Sequence, residues 1–326
     1  MLYPLKFKPL FKERIWGGTK LKSALGKRLP SGKNIGESWE LSSVEGDLSV
    51  VKNGYLAGND IEELTEVYMG DLVGDSVYER FGVEFPLLIK FIDAAQALSV
   101  QVHPGDELAA ERHGAYGKTE MWYILDREPG AGIYLGFNRD VTLDEYASAV
   151  ENGTLPDLLE YVEVEPGDAY FIPSGTVHAI DKGVTLAEIQ QTSDITYRLF
   201  DWNRTDKEGN PRQLHTELAA EAIDFERRDD LNVTVAPVKG QAVRMQSCRY
   251  FASSVLSVDG SMTRPYMEID SFIIYVCTKG SAEMVWDGGR DRIEKGETVL
   301  VPAEIDEITL EGRAEIIEVY IPDKKE

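Results

Sequence analysis

Cysteine is nearly missing from this 326-residue sequence. Cys248 and Cys277 are the only two. Two cysteines build no disulfide framework, so a reducing compartment is expected. Positive charge is also in short supply: 34 Lys and Arg stand against 57 Asp and Glu, for a net charge of −23. So acidic a chain argues against nucleic acid or an anionic membrane as partner. No apolar run approaches the length of a membrane span. The opening Met1-Leu-Tyr-Pro-Leu-Lys-Phe lacks the long apolar core of a signal peptide. A cytoplasmic protein, monomer or homodimer, is the expectation. A substrate carrying phosphate would need a local basic cluster to overcome the global field.

What the chain does have is alternation. In Leu98–His103, the apolar Leu98, Val100 and Val102 alternate with Ser99, Gln101 and His103. Period 2 marks a strand and puts Gln101 and His103 on one face. A second alternating run over 118–125 puts Lys118, Glu120, Trp122 and Ile124 on one face, and a short helix over 106–113 separates the two. Phe85–Phe91 reads as a buried strand carrying Lys90. Val184–Gln190 and Ile195–Trp202 read as strands, the first with Leu186, Glu188 and Gln190 on one face, the second carrying Arg198. Helices are expected over 60–69 after Asn59, over 141–161 with a break at Asn152-Gly153, and over 216–223 with Thr216 as cap. A strand is expected over 162–172, and β-structure from about 235 onward. In the N-terminal stretch, Arg14-Ile-Trp-Gly-Gly18 and the pair Glu37 and Trp39 stand out, the latter as a possible sugar-pocket wall.

One spacing recurs. Gly167-Asp-Ala-Tyr-Phe-Ile-Pro173 and Gly296-Glu-Thr-Val-Leu-Val-Pro302 both read Gly, five residues, Pro. Each follows a strand–turn–strand pattern: 121–125 to 133–137 in the first, 272–276 to 282–286 in the second. Two copies of a small β-unit are implied, the first active and the second without the chemistry, since Glu307 stands at the offset that His178 holds in the first. His103, His178, Glu120 and the Gln101 amide together make a shell suited to one divalent metal. His113 and His215 are assigned to core or surface.

The phrase Gly167-x5-Pro173-x-Gly175-x2-His178 resembles the second motif of the cupin superfamily. Gln101-x-His103 stands where its first motif has His-x-His, with Glu120 as the carboxylate. Over nearly its whole length the chain resembles the short bacterial form of the type I mannose-6-phosphate isomerases. The phrases that carry this are Leu98-Ser-Val-Gln-Val-His-Pro104, Gly117-Lys-Thr-Glu-Met-Trp122, Pro173-Ser-Gly-Thr-Val-His-Ala-Ile180 and Asp194-Ile-Thr-Tyr-Arg198. The resemblance implies a mainly β bicupin of two small barrel or jelly-roll units with a few short helices. A catalytic unit over 1–238 and a degenerate one over 239–326 follow from it. It implies interconversion of mannose 6-phosphate and fructose 6-phosphate on one zinc per chain, held by Gln101, His103, Glu120 and His178, with Arg198 in the active site and Lys118, Glu188 and Asp194 as further site residues. The hard step takes a proton from carbon beside a carbonyl and makes an enediolate. Lys118 or Glu188 would move that proton, with the Lys118 pKa lowered by burial and a nearby cation. Arg198 would face the oxyanion or the phosphate, and Asp194 would assist ring opening. Two histidines and a carboxylate also suit an Fe(II) cupin oxygenase, and a sugar-binding bicupin without catalysis is a third reading.

Overall fold

The computed structural model describes residues 1–205 and 208–323. Two sheets face each other in the N-terminal two thirds. The larger has six antiparallel strands in the order Leu10–Glu13, Ile35–Leu41, Leu87–Asp93, Val184–Gln191, Glu120–Arg127, Ala169–Ile172. The smaller runs Tyr197–Phe200, Val100–Val102, His178–Ile180, Gly132–Phe137, Leu159–Glu163. Neither closes into a barrel. The chain crosses repeatedly between the two sheets, so neighbours in a sheet are distant in sequence.

Strand alternation decides what each face sees. Val184, Leu186, Trp122 and Ile124 point into the space between the sheets, with Ile133 and Ile180 from the opposite side. Their neighbours Ala187, Ile189, Met121 and Tyr123 point the other way, onto the C-terminal part. The outer face of the smaller sheet, with Val100, Val102 and Ala179, is covered by the helix Leu143–Asn152 through Tyr146 and by Thr216–Ala220 through Ala219.

From Ala242 the chain builds a third sheet around three 14-residue strands, Ala252–Pro265, Ile273–Trp286 and Glu307–Tyr320. One side of it, with Ile274, Val276 and Ile317, shares a core with Leu5, Phe7, Phe85, Leu87 and Phe91 of the N-terminal part. Its own interior is a second apolar cluster around Tyr275, Met284 and Ile316.

The expected repeat is visible in pairing rather than in outline. Ala169–Ile172 pairs with the start of Glu120–Arg127, and Thr298–Val301 pairs with Ile273–Val276 in the same antiparallel sense. Residues 272–286, read as strand–turn–strand, are instead one long strand with a register shift at Cys277/Lys279. Residues 162–172 are two strands in different sheets, parted by the Pro166-Gly167 turn. The second helix expected in 141–161 is a single 3-10 turn at Leu155–Leu158, after which the chain becomes strand. The cap at residue 60 is Asp60 rather than Asn59: its carboxylate accepts from the Glu62 and Glu63 amides, and Glu63 answers to the Asp60 amide. In the last short helix the N-cap position falls on His215 rather than Thr216, and its side chain makes no capping hydrogen bond.

Candidate active site and metal centre

Cross-strand register assembles the site. In the smaller sheet, Gln101 is paired with His178 on one side and Arg198 on the other. In the larger sheet, Trp39 faces Lys90, Lys90 faces Glu188, and Glu188 faces Trp122. The next pair along, Gln190 with Glu120, puts the carboxylate toward His103 and His178. The turn before His178 is held by its own neighbours. Gly175, at φ +90, donates its N–H to the His103 carbonyl, so the turn that leads into His178 is tied to the His103 backbone.

His103, Glu120 and His178 are all buried, and their ligand atoms lie within 4.8 Å of one another. His103 Nδ1 lies 2.8 Å from the Ile195 carbonyl, and His178 Nδ1 lies 2.8 Å from the Thr176 carbonyl. A carbonyl only accepts, so each Nδ1 carries the proton and each Nε2 presents a lone pair. Those Nε2 atoms sit 3.6 and 3.3 Å from the two oxygens of Glu120. Burial pushes the His103 pKa far down, with Lys118 and His178 adding to it, and pushes His178 to about 4. Both imidazoles are neutral at pH 7, the form that binds metal. Neither Glu120 oxygen has a hydrogen bond of good geometry, although Lys118 Nζ lies 2.8 Å from Oε2. Burial and the Glu188 charge raise the Glu120 pKa to about 7. A buried carboxylate without hydrogen bonds, facing two imidazole lone pairs, fits a divalent cation. The Gln101 amide NH2 donates to His178 Nε2 at 3.2 Å, and a half-turn of that amide would present its oxygen instead.

A cavity of about 380 Å³ opens over this group. Gln101, Lys118, Glu188, Asp194 and Arg198 line it, together with Lys90 and Trp39. Sequence reasoning therefore placed every named side chain at or beside one space. Two details differ. The Lys118 pKa is raised, not lowered: burial alone would depress it, but Glu120 and Glu188 outweigh burial, and the ammonium also donates to His103 Nε2 at 3.0 Å. Glu188 has both oxygens engaged, by Lys90 at 2.9 Å and the Trp122 indole at 2.8 Å. Burial would raise its pKa, yet Lys90 and Lys118 pull it down to about 2, which makes it a weak base. Arg198 pairs with neither Asp194 nor Asp201 but donates to the Gln213 carbonyl at 2.9 Å.

The two N-terminal phrases singled out in the sequence supply a further wall of the cavity. Arg14 grips Glu37 through two nitrogens, at 2.9 and 3.2 Å, and Glu37 accepts from the Trp39 indole at 2.7 Å. Trp16 lines the same wall. A methyl group on the adjoining Gly17 would come within 2.5 Å of the Ile35 carbonyl carbon, so this close approach requires glycine. Arg212 lies in a polar loop with no periodicity to signal it. Neither His113 nor His215 joins the metal group: His113 pairs with the Tyr197 hydroxyl, and His215 accepts from the Arg198 amide.

Two facing sheets with a buried His–Glu–His group that could hold a metal ion under a polar cavity define a protein of the cupin kind. Comparison with known proteins makes this specific. Residues 4–133 match the type I phosphomannose isomerase catalytic domain, and residues 241–321 match the mannose-6-phosphate isomerase cupin domain. The chain is 39% identical to the mannose-6-phosphate isomerase ManA of Bacillus subtilis, over 96% of this chain and 98% of that one. It is 32% identical to the mannose-6-phosphate isomerase of Streptococcus mutans, over 97% and 98%. A crystal structure of the Bacillus subtilis mannose 6-phosphate isomerase superposes with a TM-score of 0.83 at 32% identity, covering 97% of this chain and 99% of that one. The chain belongs to the type I phosphomannose isomerase family. The alignment with the Escherichia coli mannose-6-phosphate isomerase runs over 394 residues, more than the 326 of this chain, so that enzyme has segments with no counterpart here.

Proposed function

We infer that this chain interconverts mannose 6-phosphate and fructose 6-phosphate on one zinc ion held by His103, His178, Glu120 and the Gln101 amide oxygen. The observation that carries the metal assignment is the buried Glu120 carboxylate without hydrogen bonds, set between two Nε2 lone pairs. Neutral nitrogen and anionic oxygen donors at tetrahedral number suit zinc. Zinc held there would supply Lewis acidity to the carbonyl of the open-chain sugar.

The protein's own residues supply the rest. Lys118, on the Glu120 side of the cavity and 3.0 Å from His103, is the group we assign to carrying a proton between C1 and C2. The Glu120 and Glu188 charges raise its pKa, and a divalent cation neutralising Glu120 would oppose that rise and free it to act as a base. Glu188 is a positioning residue: it fixes Lys90 and takes the Trp122 indole, and Trp122 meets the His178 ring edge-on. Arg198, the cross-strand neighbour of Gln101, neutralises negative charge on the substrate. Asp194 is exposed on the loop that lines the cavity, where it assists opening of the sugar ring. Phosphorylated sugars and two free thiols both suit the cytoplasm.

Elemental analysis of the purified chain tests the metal. One zinc per chain is the expected result. Iron in its place, with oxygen uptake on adding substrate, would overturn it.

A further inference from the structure

The cavity has two cationic groups on one wall, Arg198 and Arg212. Arg198 Nε is buried without a hydrogen-bond partner. Arg212 is gripped from one edge only: its Nε donates to Asp201 Oδ2 at 2.7 Å and its Nη2 donates to Asp201 Oδ1. Its Nη1 makes no hydrogen bond among the described residues. Asp201 is buried and is itself fixed from the other side by Arg204, which is anchored on the Ala97 carbonyl. The fork of Arg212 is thus held at a set angle on the cavity wall before any ligand arrives.

Charge points the same way. Among the described residues, Arg198, Arg204 and Arg212 stand against the one carboxylate of Asp201, an excess of two positive charges. The other cavity carboxylates are already matched, Glu37 by Arg14 and Glu188 by Lys90, while Asp194 is exposed to solvent. Burial and then the Arg212 charge both lower the Arg198 pKa, the sign of two guanidinium groups close enough to repel. A phosphate monoester carries about −1.5 to −2 at neutral pH, and guanidinium pairs bind such groups through paired N–H donors.

We infer that Arg212 is a specificity-determining residue that, with Arg198 Nε, binds the phosphoryl group of the substrate, and that Asp201 is the positioning residue that aims it. This rests on the phosphosugar reading above. It also answers how so acidic a chain takes an anionic substrate: the excess positive charge is local and held in place by one buried carboxylate.

Arg212→Gln and Asp201→Asn test it in the zinc-loaded full chain, with inorganic phosphate as probe. In Arg212→Gln, KM for mannose 6-phosphate is expected to rise tenfold or more while kcat changes less than threefold. Inhibition by inorganic phosphate should weaken by a similar factor, and zinc content should stay at wild type. Asp201→Asn should give the same KM shift, and the double variant should be no worse than Arg212→Gln alone. Unchanged KM and unchanged phosphate inhibition in folded Arg212→Gln would overturn the assignment. Multiplied effects in the double variant would overturn the positioning role of Asp201. Calorimetric binding of inorganic phosphate to wild type and Arg212→Gln separates the two readings. A wild-type chain that binds phosphate through Arg212 but isomerises nothing would sink the proposed function and leave this inference standing.

Discussion

The two metal-facing imidazoles reach the same state by the same means. Each is buried, each gives its Nδ1 proton to a backbone carbonyl, and each is thereby left neutral with Nε2 aimed at Glu120. Glu120 contributes the only negative charge in the group, so Glu120→Gln should weaken metal binding by about tenfold or more. Competition with a chromogenic chelator measures it, and full zinc occupancy in the variant would remove Glu120 from the ligand set. Arg198→Ala should lower kcat/KM by about ten- to a hundredfold, the scale of losing a charge-assisted hydrogen bond to the phosphoryl group. Metal content should not change, and a parallel loss of zinc would contradict the substrate role. The metal-free site also has a pH signature. For His178 the folded pKa of about 4 lies below the unfolded 6.5, so its contribution is present above pH 6.5 and is lost as pH falls toward 4. His103 acts with the same sign. Glu188, at about 2 when folded, adds a loss as pH falls below 4.5. Glu120, raised to about 7, acts in the opposite sense between 4.5 and 7. Two imidazoles outweigh one carboxylate, so the urea midpoint of the metal-free protein should drop from pH 6.5 to 4 and fall more steeply below 4.5. A flat profile would contradict these burial effects.

At the scale of elements, the site is a product of register. One slip in Val184–Gln191 would turn Glu188 and Gln190 out and Ala187 and Ile189 in. Period 2 made that legible: the same-face sets at 98–103, 118–124 and 184–190 face the space between the two sheets, where Ile124 and Leu186 pack as core and Gln101, Lys118 and Glu188 line the cavity. What alternation could not show is where it breaks. Between Trp39 and Leu41 a bulge sends Trp39 inward opposite Lys90 and Leu41 outward opposite Ile89, although the two share parity in sequence. Residues 162–172 look continuous because both strands are apolar on one side. Only the turn at Gly167, at φ +106, moves the chain from one sheet to the other. Arg212 was invisible for a different reason, because its place is set by Asp201, eleven residues away in an aperiodic loop. The turn at Gly175 gives the element-scale test. A side chain there meets a positive φ and places a methyl group 3.0 Å from the Ala222 carbonyl. Gly175→Ala should therefore lower stability by about 1–3 kcal/mol and weaken zinc binding, because His103 and His178 are joined through this residue. Thermal melting with and without zinc would show both effects. An unchanged melting temperature would mean that the turn does not fix the histidines.

Across the whole molecule, no group able to hold a metal ion lies in the C-terminal sheet among the described residues, yet its core is continuous with that of the N-terminal part. Phe85 packs at a tilt against Phe272, ring centroids 4.4 Å apart, and Leu5 bridges to Leu300. Truncation after residue 238 would expose that shared face, so the shortened chain should be insoluble or molten rather than a smaller active enzyme. A soluble, active fragment would show that the two units are independent. The central claim is that the His103–Glu120–His178 group, carrying zinc, runs an aldose–ketose isomerisation in the cavity above it. The most direct measurement is a coupled assay of mannose 6-phosphate conversion to fructose 6-phosphate before chelation, after chelation, and after zinc is returned. Activity that disappears with the metal and returns with zinc is the expected result. Full activity in chelated protein shown to hold no metal, or no activity in folded protein holding one zinc per chain, would contradict it.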